Sequence, residues 1–230
     1  MQSAARITKP APHGSGIAPG QQLLLHNVSW DAYQKIGAAL ADRPALRLTF
    51  DRGNLEIMTT SFEHEWRKCL LGRFIDVLSE ECGVSIRAAG STTFKKKGLK
   101  RGLEGDQTYY TKSREKVRGK KRLVMGRDPS PDLALEIDVT RSSVSRMSIY
   151  SRLKVEEVWR YDGQTIRIFL LDGKGEYQEV AESPTFPGIP IQELVRFLHM
   201  AEEADDDNDV IRQFRAWVRK HLPKKRKKSK

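Results

Sequence analysis

The sequence predicts an α/β protein, a mixed β-sheet with helices packed against it. Three observations carry this. Helical spacing and strand alternation follow one another along the chain in the order helix, strands, helix, strands. Short turn signals, Asp51-Arg-Gly-Asn54, Asp162-Gly163 and Asp172-Gly-Lys-Gly175, sit between apolar runs and close hairpins. Hydrophobic residues make up 38% of the 230, enough to bury a core over most of the chain.

Residues 1–21 are rich in Ala, Pro, Gly and Ser and lack periodicity, which predicts a flexible arm. The folded body is expected over 22–200. Ser29 can cap a helix running to Leu40, with Tyr33, Ile36 and Leu40 on one face. Leu46 to Phe50 and Asn54 to Met58 form a hairpin, and Gly53 supplies the unusual dihedral of its turn. Thr60 or Ser61 caps a longer helix to about Glu81. Its apolar residues Phe62, Trp66, Leu70, Phe74, Val77 and Leu78 recur at helical spacing, and Gly83 stops it. Val84 to Phe94 reads as a strand, interrupted by the basic run Lys95 to Arg101. Gln107 to Thr111 is a short aromatic strand, Lys112 to Arg122 a basic loop, and Leu133 to Val139 a strand. Ser142 to Leu153 is expected to be helical. Val155 to Tyr161, Thr165 to Leu171 and Glu176 to Val180 form a meander, and Ile191 to Met200 a closing helix. Residues 201–230 are an acidic segment, a short helix over Ile211 to Val218 and a polybasic tail, expected to be disordered.

Lys plus Arg is 41 against 30 for Asp plus Glu, a net charge of +11. An anionic partner suits that balance, and nucleic acid is the commonest. Two cysteines, Cys69 and Cys82, exclude a disulfide scaffold and a thiolate zinc site. No apolar run approaches the roughly 20 residues of a membrane span. The N-terminus has no apolar signal core, so a cytoplasmic location and no membrane partner are expected.

The sharpest signal is Pro131-Asp-Leu-Ala-Leu-Glu-Ile-Asp-Val139. Strand alternation puts Leu133, Leu135, Ile137 and Val139 on a core face, and Asp132, Ala134, Glu136 and Asp138 on the other. Carboxylates gathered on one face repel each other and lose hydration if buried, so a cation is the natural offset. Hard ions such as Mg²⁺ or Mn²⁺ take carboxylate oxygens. Asp106 can join the cluster if its strand is a neighbour. From Lys95 through Arg122 the chain has twelve Lys or Arg against Glu104, Asp106 and Glu115. A carboxylate metal site beside such a surface suits phosphodiester hydrolysis. The competing reading is solvated edge-strand charge paired with nearby Lys and Arg.

Five segments in order resemble the Uma2 family (DUF820) of restriction-endonuclease-like proteins. They are Leu46-Arg-Leu-Thr-Phe-Asp-Arg-Gly-Asn-Leu-Glu-Ile-Met58, Ser61-Phe-Glu-His-Glu65, Gly102-Leu-Glu-Gly-Asp106, Pro131-Asp-Leu-Ala-Leu-Glu136, and Ile149-Tyr150 with Val155-Glu-Glu-Val-Trp-Arg-Tyr161. The resemblance implies a restriction endonuclease-like, PD-(D/E)XK core with helices flanking a mixed sheet. It implies Mg²⁺- or Mn²⁺-dependent cleavage of DNA, with pairing of two copies a possibility to cut both strands. It further implies that His64 and Glu65 border the site and that Asp106, Glu136 and Asp132 are catalytic positions. Either Asp106 or Asp132 can partner Glu136 on the metal, and adjacent strands favour Asp106; Asp138 is a further candidate ligand. The nuclease pattern wants Lys where Asp138 stands. By the likeness, the basic group comes instead from the position four before Tyr150, here Arg146, which can steady phosphorane charge but cannot act as a general base. Gly105 stands where the family usually has Pro. DNA phosphates are expected to meet Lys95, Lys96, Lys97, Lys100, Arg101, Lys120, Lys121 and Arg122.

His64-Glu65 is no zinc-protease signature, because position 68 is Lys rather than the second His. No Gly-rich phosphate loop and no Ser-His-Asp arrangement presents itself. Three functions follow: a metal-dependent endodeoxyribonuclease, a noncatalytic nucleic-acid-binding relative, or an interaction protein working through residues 201–230.

Overall fold

The computed structural model describes residues 20–43, 45–138, 142 and 144–222. Residues 1–19 of the arm expected over 1–21, and the basic block 223–230, lie outside them. In chain order the elements are β1 (Gln22–Leu25), α1 (Trp30–Ala39), β2 (Leu46–Asp51), β3 (Asn54–Thr59), α2 (Phe62–Cys82), β4 (Arg87–Ala88), β5 (Thr93–Lys96), β6 (Arg101–Glu104), β7 (Gln107–Tyr110), β8 (Leu133–Ile137), α3 (Arg146–Leu153), β9 (Glu157–Tyr161), β10 (Ile166–Leu171), β11 (Tyr177–Val180), α4 (Glu193–Glu202) and α5 (Asp207–His221).

The strands form two sheets rather than one. A five-stranded antiparallel sheet runs β1-β3-β2-β6-β5, and a six-stranded mixed sheet runs β11-β10-β9-β8-β7-β4. In the mixed sheet β8 and β9 are parallel, joined by a crossover through α3. That crossover covers the second face of β8. Ala134 is therefore buried against α3, while Leu133, Leu135 and Ile137 face α2. No described helix is long and apolar enough to cross a membrane.

Local chemistry sets α2. The Ser61 hydroxyl accepts the His64 N–H at 3.1 Å, and Gly83 closes the helix at φ 69° in the left-handed region. Its buried stripe, Leu70, Leu71, Phe74, Ile75, Val77 and Leu78, meets β8, α4 and α5. Each such side chain contributes about 1.5–3 kcal/mol on burial.

Four expectations needed revision. Val84 to Phe94 is not one strand. The chain leaves the mixed sheet after Ala88 and joins the antiparallel sheet at Thr93, turning at Gly90, whose φ is 56°. The basic run Lys95 to Arg101 does not interrupt structure; it is the β5–β6 hairpin, folded through a 3-10 turn at Lys97–Leu99. The helix expected from Ser142 begins at Arg146, because Ser145 caps it and Ser142 bonds Glu56 instead. Farther along, α5 is longer than the short helix expected. It packs on α2 through Val210, Phe214 and Val218, with the Phe74 and Phe214 rings 4.6 Å apart.

Candidate active site

β7 and β8 run antiparallel with Gln107 opposite Leu135, so the register carries Asp106 to a position opposite Glu136. Both carboxylates are 4% exposed. Asp106 Oδ2 accepts the Ile137 N–H at 2.9 Å and lies 3.4 Å from His64 Nε2. His64 comes from the first turn of α2, and its Nδ1 is 3.5 Å from Glu65 Oε1. Behind it, Glu65 is held by Arg47 at 3.1 Å and by Lys68. On the other side, Glu136 Oε2 pairs with Arg146 Nη2 at 2.6 Å, and Glu136 Oε1 accepts the Tyr150 hydroxyl. Arg146 and Tyr150 are four apart on α3 and so face the same way.

Arg146 also ties the two sheets together. Its Nη2 donates to the Glu104 carbonyl at 2.6 Å and its Nη1 to the Thr49 hydroxyl at 3.3 Å, both groups of the antiparallel sheet. Gly105 explains its own presence beside this contact. A Cβ there would lie 2.7 Å from the Tyr150 hydroxyl and 2.9 Å from Thr108 Cγ2. The absence of a side chain lets Tyr150 reach Glu136.

Charge is divided unequally between the two acids. Burial pushes both carboxyls up. At Asp106 the His64 hydrogen bond, Arg146, and the Ile137 N–H outweigh burial and hold the pKa below its usual value. At Glu136 burial wins, aided by the Asp106 charge and opposed by Arg146 and Tyr150, and the pKa is pushed up to about 7. Burial pulls His64 down, but Asp106 and then Glu65 outweigh it and lift it. Glu65 is raised by burial and lowered further by Lys68 and Arg47, a net fall. Asp106, Glu136, His64, Ile137 and Arg146 enclose about 10 Å³ of water-accessible space, the room of one water or one small ion.

The other expected residues disperse. Asp132 sits at the far end of β8, where its Oδ2 accepts the N–H groups of Thr111 at 2.7 Å and Ser113 at 2.9 Å. Asp138 lines the mouth of the site and is paired with Arg160 on β9. Among the described residues there is no cluster of three or more His, Cys, Asp or Glu that could hold a metal. The expected phosphate contacts are spread as well. Lys95 lies 5.1 Å over the Tyr33 ring, and Arg101 is buried against Asp51 at 2.8 Å. Lys96 borders the hollow beside Asp132, and Lys120 pairs with Asp128. Lys97, Lys100, Lys121 and Arg122 are exposed. The loop from Lys112 to Arg122 leaves β7 at the end opposite Asp106, roughly 15 Å away along the strand. Residue reading missed Thr49 and the Glu104 carbonyl, for which the sequence carries no signal. It also passed over Lys68 and Arg47, although Lys68 is one helical turn after Glu65.

A family model named Uma2 and described as "Putative restriction endonuclease" matches residues 30–201. The chain belongs to the Uma2 family. The match takes in α1 through α4 and stops before α5, so the helix that covers α2 lies beyond the Uma2 region. Among solved structures, the chain is similar to a crystal structure described as a "putative nuclease belonging to DUF820" from Anabaena variabilis. Their identity is 11% and the TM-score 0.39, over 73% of this chain and 90% of that one. No curated protein matches the chain.

Proposed function

We propose that this Uma2 protein is a metal-dependent endonuclease that hydrolyses DNA phosphodiester bonds at Asp106 and Glu136, within a catalytic unit spanning 22–200. The reading is carried by one observation, two buried carboxylates facing each other across β7 and β8 with a buried arginine beside them. The donor set suits a hard divalent ion. Mg²⁺ sites typically use one or two carboxylates and leave the remaining positions to water and substrate phosphate. A carboxylate has about four acceptor sites, so Glu136 can keep Arg146 and Tyr150 and still hold an ion. Asp106 and Glu136 are the residues that would hold Mg²⁺ or Mn²⁺. When bound, the ion supplies Lewis acidity toward the phosphate and lowers the pKa of water.

The chain's own residues do the rest. His64 and the Ile137 N–H fix Asp106 and keep it ionised. Tyr150 orients Glu136. Arg146, anchored to the Glu104 carbonyl, keeps a fixed positive charge where the phosphate gains negative charge, at no reorganisation cost. The test is incubation with supercoiled plasmid in Mg²⁺, in Mn²⁺ and in EDTA, beside Glu136→Gln. Nicking or linearisation that needs metal and falls more than about 100-fold in the variant, with DNA binding kept, is expected. Cleavage retained by Glu136→Gln overturns the assignment. A second reading, a noncatalytic DNA-binding relative, is favoured by the engagement of both Glu136 oxygens and by Asp138 in the lysine position. Calorimetry showing no Mn²⁺ binding, with salt-sensitive DNA binding intact, selects it.

A further inference from the structure

Two adjoining hollows share Ser145 and Met147 at the start of α3. The first, about 230 Å³, opens directly from the site and is lined by Glu136, Asp138, Arg146 and Arg160. The second, about 470 Å³, continues over the outer face of α3 past Ser148 and Ser151 to Arg52, Arg101 and Arg152. Together they make a groove that begins at the carboxylate pair and ends among cations.

The balance at the far end is positive. Asp51 is shared between Arg101 at 2.8 Å and Arg52 at 3.3 Å, one carboxylate for two guanidinium groups. Arg152 is exposed and forms no ion pair among the described residues. Exposed Lys100 lies next to this end, its carbonyl accepting the Arg52 N–H at 2.9 Å. Exposed Glu176 is the one acid lining this second hollow.

The backbone adds a separate observation. Arg52 has φ 47° and Lys100 has φ 48°, left-handed conformations in which Gly or Asn is the economical choice. Both positions carry long cations instead, on two turns whose backbones are bonded to each other where Arg52 lines the groove. Stability alone gives no reason for that choice. A run of phosphates does, since long cations on a rigid rim track a backbone without reading bases.

We propose that one strand of the DNA leaves the Asp106–Glu136 pair through this groove, its phosphates held in turn by Arg160, Arg152, Arg52 and Lys100. The proposal rests on the nuclease reading and adds the path of the substrate. It places the main phosphate grip along the start and outer face of α3, away from the Lys112–Arg122 loop, which leaves β7 at the end of the strand opposite Asp106.

The test is a salt titration of DNA binding by the full chain, with a fluorescent duplex in EDTA so that nothing is cut. Arg52→Ala, Lys100→Ala and Arg152→Ala are combined in one variant. Lys116→Ala, Lys121→Ala and Arg122→Ala are combined in a second, which removes the same charge from the far loop. Circular dichroism checks that both are folded. Each lost phosphate contact lowers the slope of log K against log salt by roughly 0.9. The groove variant is expected to lose two to three contacts' worth of slope, about 2 to 3, and the far-loop variant less than one. The reverse pattern, an equal fall in both, or no change in either while the wild type binds, overturns the groove and leaves the nuclease reading standing. A wild type that neither binds nor cuts DNA overturns both.

Discussion

Tyr150→Phe isolates one buried hydrogen bond at the heart of the site. Phenylalanine keeps the ring and its packing, so no cavity opens. What disappears is the hydroxyl that donates to Glu136 Oε1. The cost depends on the state of Glu136. A hydrogen bond to a charged group contributes about 1.5–3 kcal/mol and one between neutral groups about 0.5–1.5 kcal/mol. Burial, then the Asp106 charge, raises the Glu136 pKa from 4.5 to about 7. A carboxyl raised in the folded state contributes stability that is complete below its unfolded value and is lost as pH climbs through the folded one. The Tyr150 hydroxyl opposes that loss by favouring the anion, so removing it raises the pKa further and deepens the loss on the alkaline side. The variant should therefore cost about 1 kcal/mol at pH 5 and about 2 kcal/mol at pH 8.5. Urea denaturation in EDTA at the two pH values measures it, the wild type cancelling every other titrating group. In thermal melts the alkaline deficit corresponds to roughly 4–8 °C for a chain of this size. An equal cost at both pH values, or a larger one at pH 5, refutes the assignment of Tyr150 as the donor that keeps Glu136 ionised.

Two further outcomes are expected. Asp132→Asn removes the anionic acceptor of two backbone N–H groups and should lower stability by about 1–3 kcal/mol while leaving Mn²⁺ affinity by calorimetry unchanged; weakened Mn²⁺ binding at unaltered stability would return Asp132 to the metal. Phe214→Ala should cost about 3–5 kcal/mol in denaturant titration, because its ring is locked between Phe74 and Phe197. A cost under about 1 kcal/mol would mean that α5 is only loosely seated.

Strong local chemistry made some of this molecule legible from its residues. Ser61 and Gly83 bound α2 as their capping preferences require. The Asp51-Arg-Gly-Asn54 turn closes the β2–β3 hairpin. Alternation also put Glu136 on the face opposite Leu135. It could not give distance along that face: Asp132 shares it but lies four residues away, roughly 13 Å, at the other end of the strand. Nor could alternation tell that α3 would cover Ala134 and make the strand two-sided. The Val84 to Phe94 run misled because β-propensity does not say which sheet a strand joins, and Gly90 moves the chain between two. The anchors of Arg146 are long-range, with Thr49 97 residues and the Glu104 carbonyl 42 residues away in the chain. By contrast, Val210, Phe214 and Val218 recur every four residues, a docking stripe carried by local spacing alone.

The seating of α5 sets an order of events for a chain folding as it is made. Every strand of both sheets is synthesised before Asp207. Until α5 arrives, Phe74 on α2, the helix whose first turn carries His64, and Phe197 on α4 present their rings to water. The contact between Phe74 and Phe214 spans 140 residues of chain, the kind of distant closure that slows folding. A nascent chain long enough to form the carboxylate pair therefore still exposes an aromatic surface that invites chaperones or neighbouring copies. A fragment cut at the family boundary would keep that surface for life.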